Sequence, residues 1–400
     1  MVGAAILALT QAAAAPAGEF RLNGWVGAEA RIFMQSPADP AQHGSHGSLS
    51  LQPEWSWVSE DAADTFIVTP FLRLDQVDDR RTHGDVRELL WIHAADTWEL
   101  RTGVGKVFWG VAESNHLVDI INQTDLVENP DTEDKLGQPM VNLALIREWG
   151  TLDLFVLPGF RARTFPGTDG RLRTLPRVDT SSATYESAAE ETRVDLAVRY
   201  AHILGNLEFG LHHFHGTSRE PEFRLRRNGT ETGPPVLAPH YAVIDQTGLD
   251  ALYAWGNLSL KLEAFYRSGQ QEEFAAAVGG FEYTWVGPLM GAAALPWDLG
   301  LLAEYHTDGR GQNMPGPFNH DLFVGARMSA NDAADTRILA GLVRDLSGDG
   351  NFLNIEASRR LADHWTLETE LRLFWGTGET DPLRFVERDD YFQMSLNRYF

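Results

Sequence analysis

The sequence alternates between apolar and polar residues over most of its length, and helical periodicity is almost absent. The last ten residues, Tyr391–Phe400, show the alternation clearly. Four apolar residues in this stretch share one parity: Phe392, Met394, Leu396 and Phe400. Because successive side chains of a β-strand point to opposite faces, the stretch predicts a strand with one apolar and one polar face.

The same period of two recurs in about 18 segments from Phe20 onward. The predicted strands are Phe20–Phe33, Ser48–Ser59, Thr65–Asp75, Asp85–Ala95, Thr97–Phe108, Met140–Trp149, Thr151–Arg163, Thr192–His202, Asn206–His215, His240–Trp255, Leu258–Ser268, Glu273–Trp285, Leu299–Thr307, Asp321–Ser329, Thr336–Arg344, Phe352–Leu361, Trp365–Trp375 and Tyr391–Phe400. Their faces are distinct. In Trp365–Trp375, tryptophan and leucine residues occupy one face, and Thr366, Glu368, Glu370 and Arg372 occupy the other.

The connections between these segments alternate between short and long. The short ones follow even-numbered segments and are rich in turn-forming residues: Glu60–Asp64, Asp96, Gly150, Ile203–Gly205, Gly256–Asn257, Ala330–Asp335 and Ala362–His364. Val286–Asp298 is the longer exception. Short turns at one end and long loops at the other are typical of a transmembrane up-and-down barrel. We therefore predict an all-β antiparallel barrel of about 18 strands, with 16 as the alternative.

The two faces of the strands predict which side of the sheet meets lipid. A leucine-rich face turned to hydrocarbon and a charged face turned inward suit a barrel with a wet lumen. Several tryptophans fall near strand ends, where an interfacial girdle would place them: Trp98, Trp109, Trp149, Trp255, Trp365 and Trp375.

Composition excludes several classes of protein. The net charge of -23 argues against a nucleic-acid binder. The absence of cysteine removes disulfide scaffolds, thiolate zinc sites and cysteine nucleophiles. Residues 1–17 are apolar and rich in alanine, which predicts a secretory signal peptide cleaved near Ala15 to Ala17, although no basic residue precedes Arg21. Residues 18–400 are then a single barrel domain.

Taken together, these features resemble Gram-negative outer-membrane porins and related export channels. The shared features are the signal peptide, the even strand count, the short inner turns, the long outer loops and the aromatic carboxyl terminus. The resemblance implies a protein of the bacterial outer membrane that passes small hydrophilic solutes or ions and is not an enzyme. Outer-membrane lipid and lipopolysaccharide are the expected partners, nucleic acid is not, and a homotrimer is a candidate assembly.

The connection Trp109–Pro139 follows the fifth segment and is the third outward loop. It carries seven acids against the single base Lys135. The acids are Glu113, Asp119, Asp125, Glu128, Asp131, Glu133 and Asp134. In porins of 16 to 18 strands this loop folds into the barrel, so the resemblance implies that its carboxylates line a pore constriction. Its apolar residues Leu117, Val118, Ile120 and Ile121 would anchor it to the inner wall. The alternative is an acidic flap outside the lumen.

Seven arginines face inward by strand parity and would line the wall opposite the loop. They are Arg73, Arg87, Arg101, Arg161, Arg163, Arg193 and Arg199. Charges in a confined channel are poorly screened, so the arrangement predicts a transverse field that passes small polar solutes and hinders apolar ones. The alternative is that these charges pair and keep a wide lumen hydrated. Arginines favour anions and the loop carboxylates favour cations, so the selectivity stays open.

One acidic turn has the spacing of a calcium loop. Asp345, Ser347, Asp349 and Glu356, with Gly350 at the sharp turn, match the EF-hand order of ligands. No helices flank the motif, and Glu356 falls within a predicted strand. We therefore favour a hairpin turn, with calcium as the alternative, and expect no other cofactor.

The sequence gives little support to a transition-metal site or a hydrolase site. On a strand, His213 and His215 share one face and His212 takes the other, so the three cannot converge on a transition metal. No G-x-S-x-G elbow of a hydrolase occurs.

A structural or surface-exposed barrel that binds a partner or lipopolysaccharide is the alternative function, and an outer-membrane hydrolase is the third.

Overall fold

The period-two segments form an antiparallel sheet that closes on itself. The computed structural model describes residues 18–229, 233–287, 297–311, 318–379 and 381–400. The predicted signal peptide, residues 1–17, and most of the connection Val286–Asp298 lie outside these described residues. Within the described ranges, no helix has the length and hydropathy needed to cross a membrane.

The strands are β1 (Gly18–Phe33), β2 (Ser45–Ser59), β3 (Asp64–Asp75), β4 (His83–Ala95), β5 (Trp98–Gly105), β6 (Gln138–Arg147), β7 (Gly150–Pro158), β8 (Thr184–Tyr185), β9 (Val194–Leu204), β10 (Leu207–Thr217), β11 (Glu222–Arg227), β12 (Pro235–Tyr241), β13 (Val243–Trp255), β14 (Leu258–Ser268), β15 (Phe274–Trp285), β16 (Asp298–Asp308), β17 (His320–Ser329), β18 (Arg337–Asp345), β19 (Asn351–Ala362), β20 (Trp365–Trp375) and β21 (Tyr391–Tyr399). Short 3₁₀ helices span Thr180–Ser182, Glu190–Thr192 and Pro382–Val386. Among the strands of the described residues, β8, β11 and β12 form a small separate sheet, and the other 18 form the barrel.

The first and last strands close the barrel. β1 pairs with β2 along its length and with β21 from Trp25 to Phe33. Both strands that would otherwise leave an open edge are therefore paired on both sides. In hydrocarbon an unpaired sheet edge would cost several kcal/mol for each unsatisfied backbone group, so closure is what allows such a sheet to span a bilayer.

Each of the 18 predicted strands coincides with one strand of the barrel, which confirms the fold class and the count of 18 rather than 16. Several boundaries are wrong, and three of them move residues out of the barrel strands. The fifth strand ends at Gly105 instead of Phe108, the seventh at Pro158 instead of Arg163, and the tenth begins at Val243 instead of His240. After Pro158 the chain turns at Gly159, whose φ of 86° suits glycine. His240 belongs to β12, which pairs with β11.

Apolar side chains cover the outside of the barrel, and polar ones line the inside. On β14, Leu260 and Leu262 are exposed on the outside, whereas Glu263 and Arg267 are buried inside. On this strand the predicted arrangement, with the leucine-rich face outside and the charged face inside, is therefore confirmed. Most of the girdle tryptophans are exposed at the surface, but Trp109 is buried among inner-wall residues. Its assignment to the girdle is wrong because β5 ends before it and the chain turns inward.

Burial of the inward-facing side chains changes along the barrel axis. The outer end is the one with the long loops, and the turn end is the one with the short turns. On β13, Ile244 and Gln246 near the outer end are buried, whereas Ala254 near the turn end is exposed. On β9, Asp195 is buried and Ile203 is exposed. Loops therefore fill the outer half of the lumen, while water reaches the turn half.

A charge on the outer face of β14 tests the assignment of this face to lipid. We expect Leu262→Arg, near the middle of the strand, to lower the free energy of unfolding by about 2–4 kcal/mol, the usual cost of arginine at the bilayer midplane. Ser259→Arg places the same side chain on the inner face, beside Glu282 of the neighbouring strand. It should cost less than about 1 kcal/mol. Denaturant titration in lipid vesicles measures both, and equal losses would contradict the assignment.

Candidate functional site

Loop 3, residues 106–137, joins β5 to β6 and lies inside the barrel. Its side chains Val118, Ile120 and Ile121 are buried. They pack with inward-facing residues of β4, β6, β7, β9, β10 and β13: Leu90, Met140, Phe155, Leu157, Ala197, Phe214 and Ile244. Leu117 packs against a second cluster on the inner wall. The apolar segment of loop 3 therefore rests on one side of the lumen.

A buried carboxylate of the wall holds the backbone of loop 3. Glu263 on β14 accepts hydrogen bonds from the backbone N–H groups of Val111, Ala112 and Val118 at 2.6, 2.7 and 3.1 Å. Gly110 passes close to this carboxylate, with φ of 137° and with only 2.8 Å between an ideal Cβ and Glu263 Oε1. A side chain at residue 110 would therefore displace the anchor.

A second wall carboxylate repeats the arrangement two barrel strands away. Glu304 on β16 accepts hydrogen bonds from the N–H groups of Glu113 and Ser114 at 2.7 and 2.9 Å. The hydroxyl of Ser114 lies 2.5 Å from Glu304 Oε2 and 2.7 Å from His306 Nε2. Sequence reasoning missed both anchors. An inward acid on a strand gives no local signal of the loop that it will bind.

Two of the seven predicted constriction acids are bonded to the arginine wall. Asp125 lies 2.7 Å from Arg87, and Glu128 lies 2.7 Å from Arg73. All four side chains are buried. The sequence placed loop carboxylates and arginines on opposite sides of an open pore, and this is wrong for both pairs. They are direct contacts that fix the loop, and each pair contributes little net charge to the lumen.

Three further loop acids also have basic partners. Asp119 lies 3.2 Å from Lys135 within the loop, and Asp131 lies 3.0 Å from Arg372 on β20. Glu113 pairs with Arg327 on β17. Only Glu133 and Asp134, of the seven, project into the lumen without a direct arginine or lysine partner in the described part of the chain.

The remaining predicted arginines occupy different places. Arg101 on β5 and Arg199 on β9 face inward, and each pairs with an acid, Glu99 at 2.6 Å and Asp250 at 2.7 Å. The others lie in connections. Arg193 directly precedes β9 and contacts Asp195 and His215. Arg161 and Arg163 lie beyond the end of β7, where they contact Asp85 and Gln123. Their assignment to the strand is wrong because β7 ends at Pro158.

Two adjoining cavities occupy the turn half of the lumen, with volumes of about 640 and 310 Å³. They share Asn129, Asp134, Glu368, Gln393 and Ser395 as lining residues. The larger cavity is lined by seven acids and two arginines: Glu113, Asp131, Glu133, Asp134, Glu356, Glu368 and Glu370, with Arg327 and Arg337. The smaller cavity has four acids and four bases: Glu29, Glu128, Asp134 and Glu368, with Arg73, Arg87, Lys106 and Lys135. The larger cavity therefore has an excess of acids, although Arg372 neutralises part of it by pairing with Asp131 and Glu370.

Among the acids of loop 3 that line the larger cavity, Glu133 and Asp134 have the most strongly shifted pKa values. Burial within the barrel raises the pKa of both groups to about 7, and the charge of Asp131 adds to the effect. The side chain of Glu133 is still 66% exposed to the lumen. The surrounding barrel wall accounts for the raised pKa values, while water in the lumen still contacts the carboxyl groups directly. Both groups therefore exchange protons with the lumen near neutral pH.

The residues of the proposed calcium loop do not form one ligand set. Asp345 accepts a hydrogen bond from Ser347 N–H within a turn, and Asp349 contacts Arg344. Glu356 lies within β19, about 17 Å along the strand from Asn351 at the rise of an extended chain. The described residues contain no group of three or more acidic, histidine or cysteine side chains arranged to hold a metal ion. His213 and His215 face outward while His212 is buried inside, as predicted.

Comparison with known proteins identifies the fold. No protein-family model matches the chain, and no curated protein matches it. OccD3 (OpdP) of Pseudomonas aeruginosa superposes with a TM-score of 0.55 at 9% identity, over 95% of this chain and 91% of that chain. A mutant of Rh. blastica porin gives 0.46 at 11% identity, over 96% of this chain and 100% of that one. OmpT of Vibrio cholerae, an outer membrane protein in its trimer form, gives 0.44 at 10% identity, with the same coverage.

The TM-score for OccD3 indicates a shared fold, and at 9% identity the similarity is one of fold alone. Together with the closed antiparallel sheet of 18 strands, it shows that the chain has a β-barrel fold similar to that of OccD3. The fold implied by the sequence resemblance is therefore confirmed.

Removal of the first wall anchor should free the backbone of loop 3. In Glu263→Ala we expect amide hydrogen exchange of Val111, Ala112 and Val118 to accelerate at least about tenfold, since a hydrogen bond to a charged group contributes about 1.5–3 kcal/mol. Glu263→Gln keeps one carbonyl acceptor and should be intermediate. Glu208→Ala removes an exposed acid of the inner wall on β10 and serves as the control. Exchange measured by mass spectrometry on peptides covering these residues would contradict the anchor if all three variants matched the wild type.

Proposed function

We propose that this protein is a channel of the bacterial outer membrane that allows passive diffusion of small hydrophilic solutes and prefers cations. The observation that carries the proposal is the pair of water-accessible cavities inside a barrel whose outer surface is apolar. A closed sheet with lipid outside and water inside is the architecture through which polar solutes cross a bilayer.

The charge balance of the lumen supports the preference for cations. Arginines of the wall are bound to loop carboxylates or to neighbouring acids, as in the pairs Arg73–Glu128 and Arg87–Asp125. The carboxylates that remain line the larger cavity, and rings of acidic side chains favour cations in channels. These contacts favour the loop acids in the balance that the sequence left open between them and the arginines.

An enzymatic function receives less support from the same contacts. Ser114, His306 and Glu304 lie together, but both the acid and the histidine bond to the serine hydroxyl. In a hydrolase triad the acid instead orients the histidine from its far side. Glu304 also accepts two backbone N–H groups, so its role is to hold loop 3. Lipopolysaccharide binding and a homotrimeric assembly remain predictions from the sequence.

Recording in planar lipid bilayers tests the channel itself. The purified protein should insert and give discrete conductance steps, because the lumen provides a polar path for ions. A mock preparation from cells without the protein is the control for contaminating channels. Protein that inserts into vesicles and retains its strand content, yet gives no steps at any voltage, would contradict the proposal.

Selectivity should depend on Glu133 and Asp134 and on pH. In a salt gradient we expect the double variant Glu133→Gln/Asp134→Asn to lose at least about half of the cation preference shown by the reversal potential. Since the raised pKa values lie near 7, both groups are mostly charged at pH 8 and mostly neutral at pH 6. Wild-type cation preference should therefore fall as the pH is lowered from 8 to 6, and the double variant should respond less.

Asp349→Asn provides the matched control for this experiment, because it removes an acid that is 90% exposed in an outer turn. Its reversal potential should match that of the wild type at both pH values. The selectivity mechanism would be contradicted if the control and the double variant shifted equally, or if neither the double variant nor the change in pH altered the reversal potential.

A further inference from the structure

The first part of the β7–β9 connection, residues 159–179, runs away from both strands. We call this segment the strap. Arg161 pairs with Asp85 of β4 at 2.7 Å, and the hydroxyl of Thr164 donates to Asp125 of loop 3 at 2.6 Å. The strap therefore leaves the rim and runs across the outer side of loop 3.

Beyond loop 3 the strap reaches the loops of the first four strands. Gly167 N–H donates to both carboxylate oxygens of Asp78, in the β3–β4 connection, at 3.0 Å. Gln42, in the β1–β2 connection, donates to the carbonyl oxygen of Gly170 at 3.0 Å. Each contact ties the strap to a loop that is farther from β7 along the rim.

At its far end the strap enters a buried site beside the strands that close the barrel. This site, called the socket, is formed by Asp389 and Phe33. Arg171 pairs with Asp389 of the β20–β21 connection at 2.6 Å, and Leu172 N–H donates to the same carboxylate at 2.7 Å. The Arg171 side chain is fully buried and lies over the ring of Phe33 at the end of β1. Arg173 adds a pair with Asp39 of the β1–β2 connection at 2.9 Å.

The order of strands shows how far this contact reaches. Between the β7–β9 and β20–β21 connections lie eight strands in one direction round the barrel and ten in the other. The two connections therefore stand on nearly opposite sides of the mouth. With a strand spacing of about 4.8 Å and a tilt near 42°, an 18-stranded barrel is about 37 Å across.

The return path shows that the strap crosses the mouth. After Arg173, bonded to the β1–β2 connection, the chain reaches Val178, which bridges to Leu237 of β12 in the β10–β13 connection. Five residues span at most about 18 Å, which is half of the barrel diameter. The connections from opposite sides must therefore lean over the lumen to meet, and the strap joins them.

We propose that the strap is a latched cover over the outer mouth, held by Arg171 in its socket, and that it limits permeation together with loop 3. This inference rests on the proposed channel function. Solutes pass from the outer side to the acidic cavities only where the strap and its neighbours leave a gap. Loss of the Arg171 contact frees the strap at the end farthest from its strands and widens that gap.

Single-channel recording tests the latch with a matched pair of variants. We expect Arg171→Ala to raise the conductance at least about twofold, because the narrowest segment of a pore dominates its resistance. Arg359→Ala removes an exposed arginine that pairs with Asp332 at the turn end, and it should leave the conductance unchanged. Equal conductance in the wild type and both variants would overturn the strap while leaving the channel proposal intact.

A reversible cross-link distinguishes release of the strap from general loosening of the barrel. An ideal Cβ on Gly170 lies 2.9 Å from Asp78 Cγ, close enough for the geometry of a disulfide. In the triple variant Asp78→Cys/Gly170→Cys/Arg171→Ala, the oxidised protein should return to wild-type conductance, and a reducing agent should raise it again. The chain has no cysteine of its own to interfere.

The remaining outcomes of the cross-linking experiment each decide one proposal. High conductance that persists in the oxidised triple variant, with the disulfide verified by mass spectrometry, would overturn the strap. Failure of the wild type and of every variant to conduct would instead overturn the channel function on which the strap rests.

Discussion

The backbone hydrogen bonds of the sheet are the constraint on which the rest of the structure depends. A strand that crosses hydrocarbon cannot bond to water, so each edge of the sheet must find a partner. The pairing of β1 with both β2 and β21 meets this demand and turns 18 strands into a ring. Once the ring is closed, alternation of side chains sends leucine and valine to the lipid and leaves arginine, aspartate and glutamate for the interior.

A charged interior determines how the loops that enter it are held. Apolar packing fixes part of loop 3, through Val118 and Ile121. The rest of the loop depends on buried ionic contacts: Glu263 and Glu304 accept its backbone N–H groups, and Arg73 and Arg87 bind its carboxylates. Charges used in this way are neutralised locally. In the proposed channel, the carboxylates that are not used in this way set the field in the lumen, which links anchoring of the loop to selectivity.

Much of the fold could be predicted from the sequence, because a period of two is a local property. The strand count, the inner faces and the inward position of Arg73 and Arg87 all follow from it. Strand ends do not. The alternation continues past Gly105 and Pro158, where the pairing stops, so it predicts wrong positions for Trp109, Arg161 and Arg163. The anchoring contacts could not be predicted either, because they join residues far apart in the sequence. Val111 and Glu263 are 152 residues apart, and Arg171 and Asp389 are 218 apart. The cluster of five arginines between Arg161 and Arg177 in an acidic chain was the one available signal of the strap.

Cysteine scanning along β14 tests the central claim, that water lies inside the closed sheet and hydrocarbon outside it. The chain lacks cysteine, so single cysteines at residues 259 to 262 can be introduced one at a time into protein in lipid vesicles. Cysteines at 259 and 261 should react with a charged, water-soluble thiol reagent, and those at 260 and 262 only with a reagent that partitions into the bilayer. Equal reactivity of all four positions with the water-soluble reagent would contradict the claim.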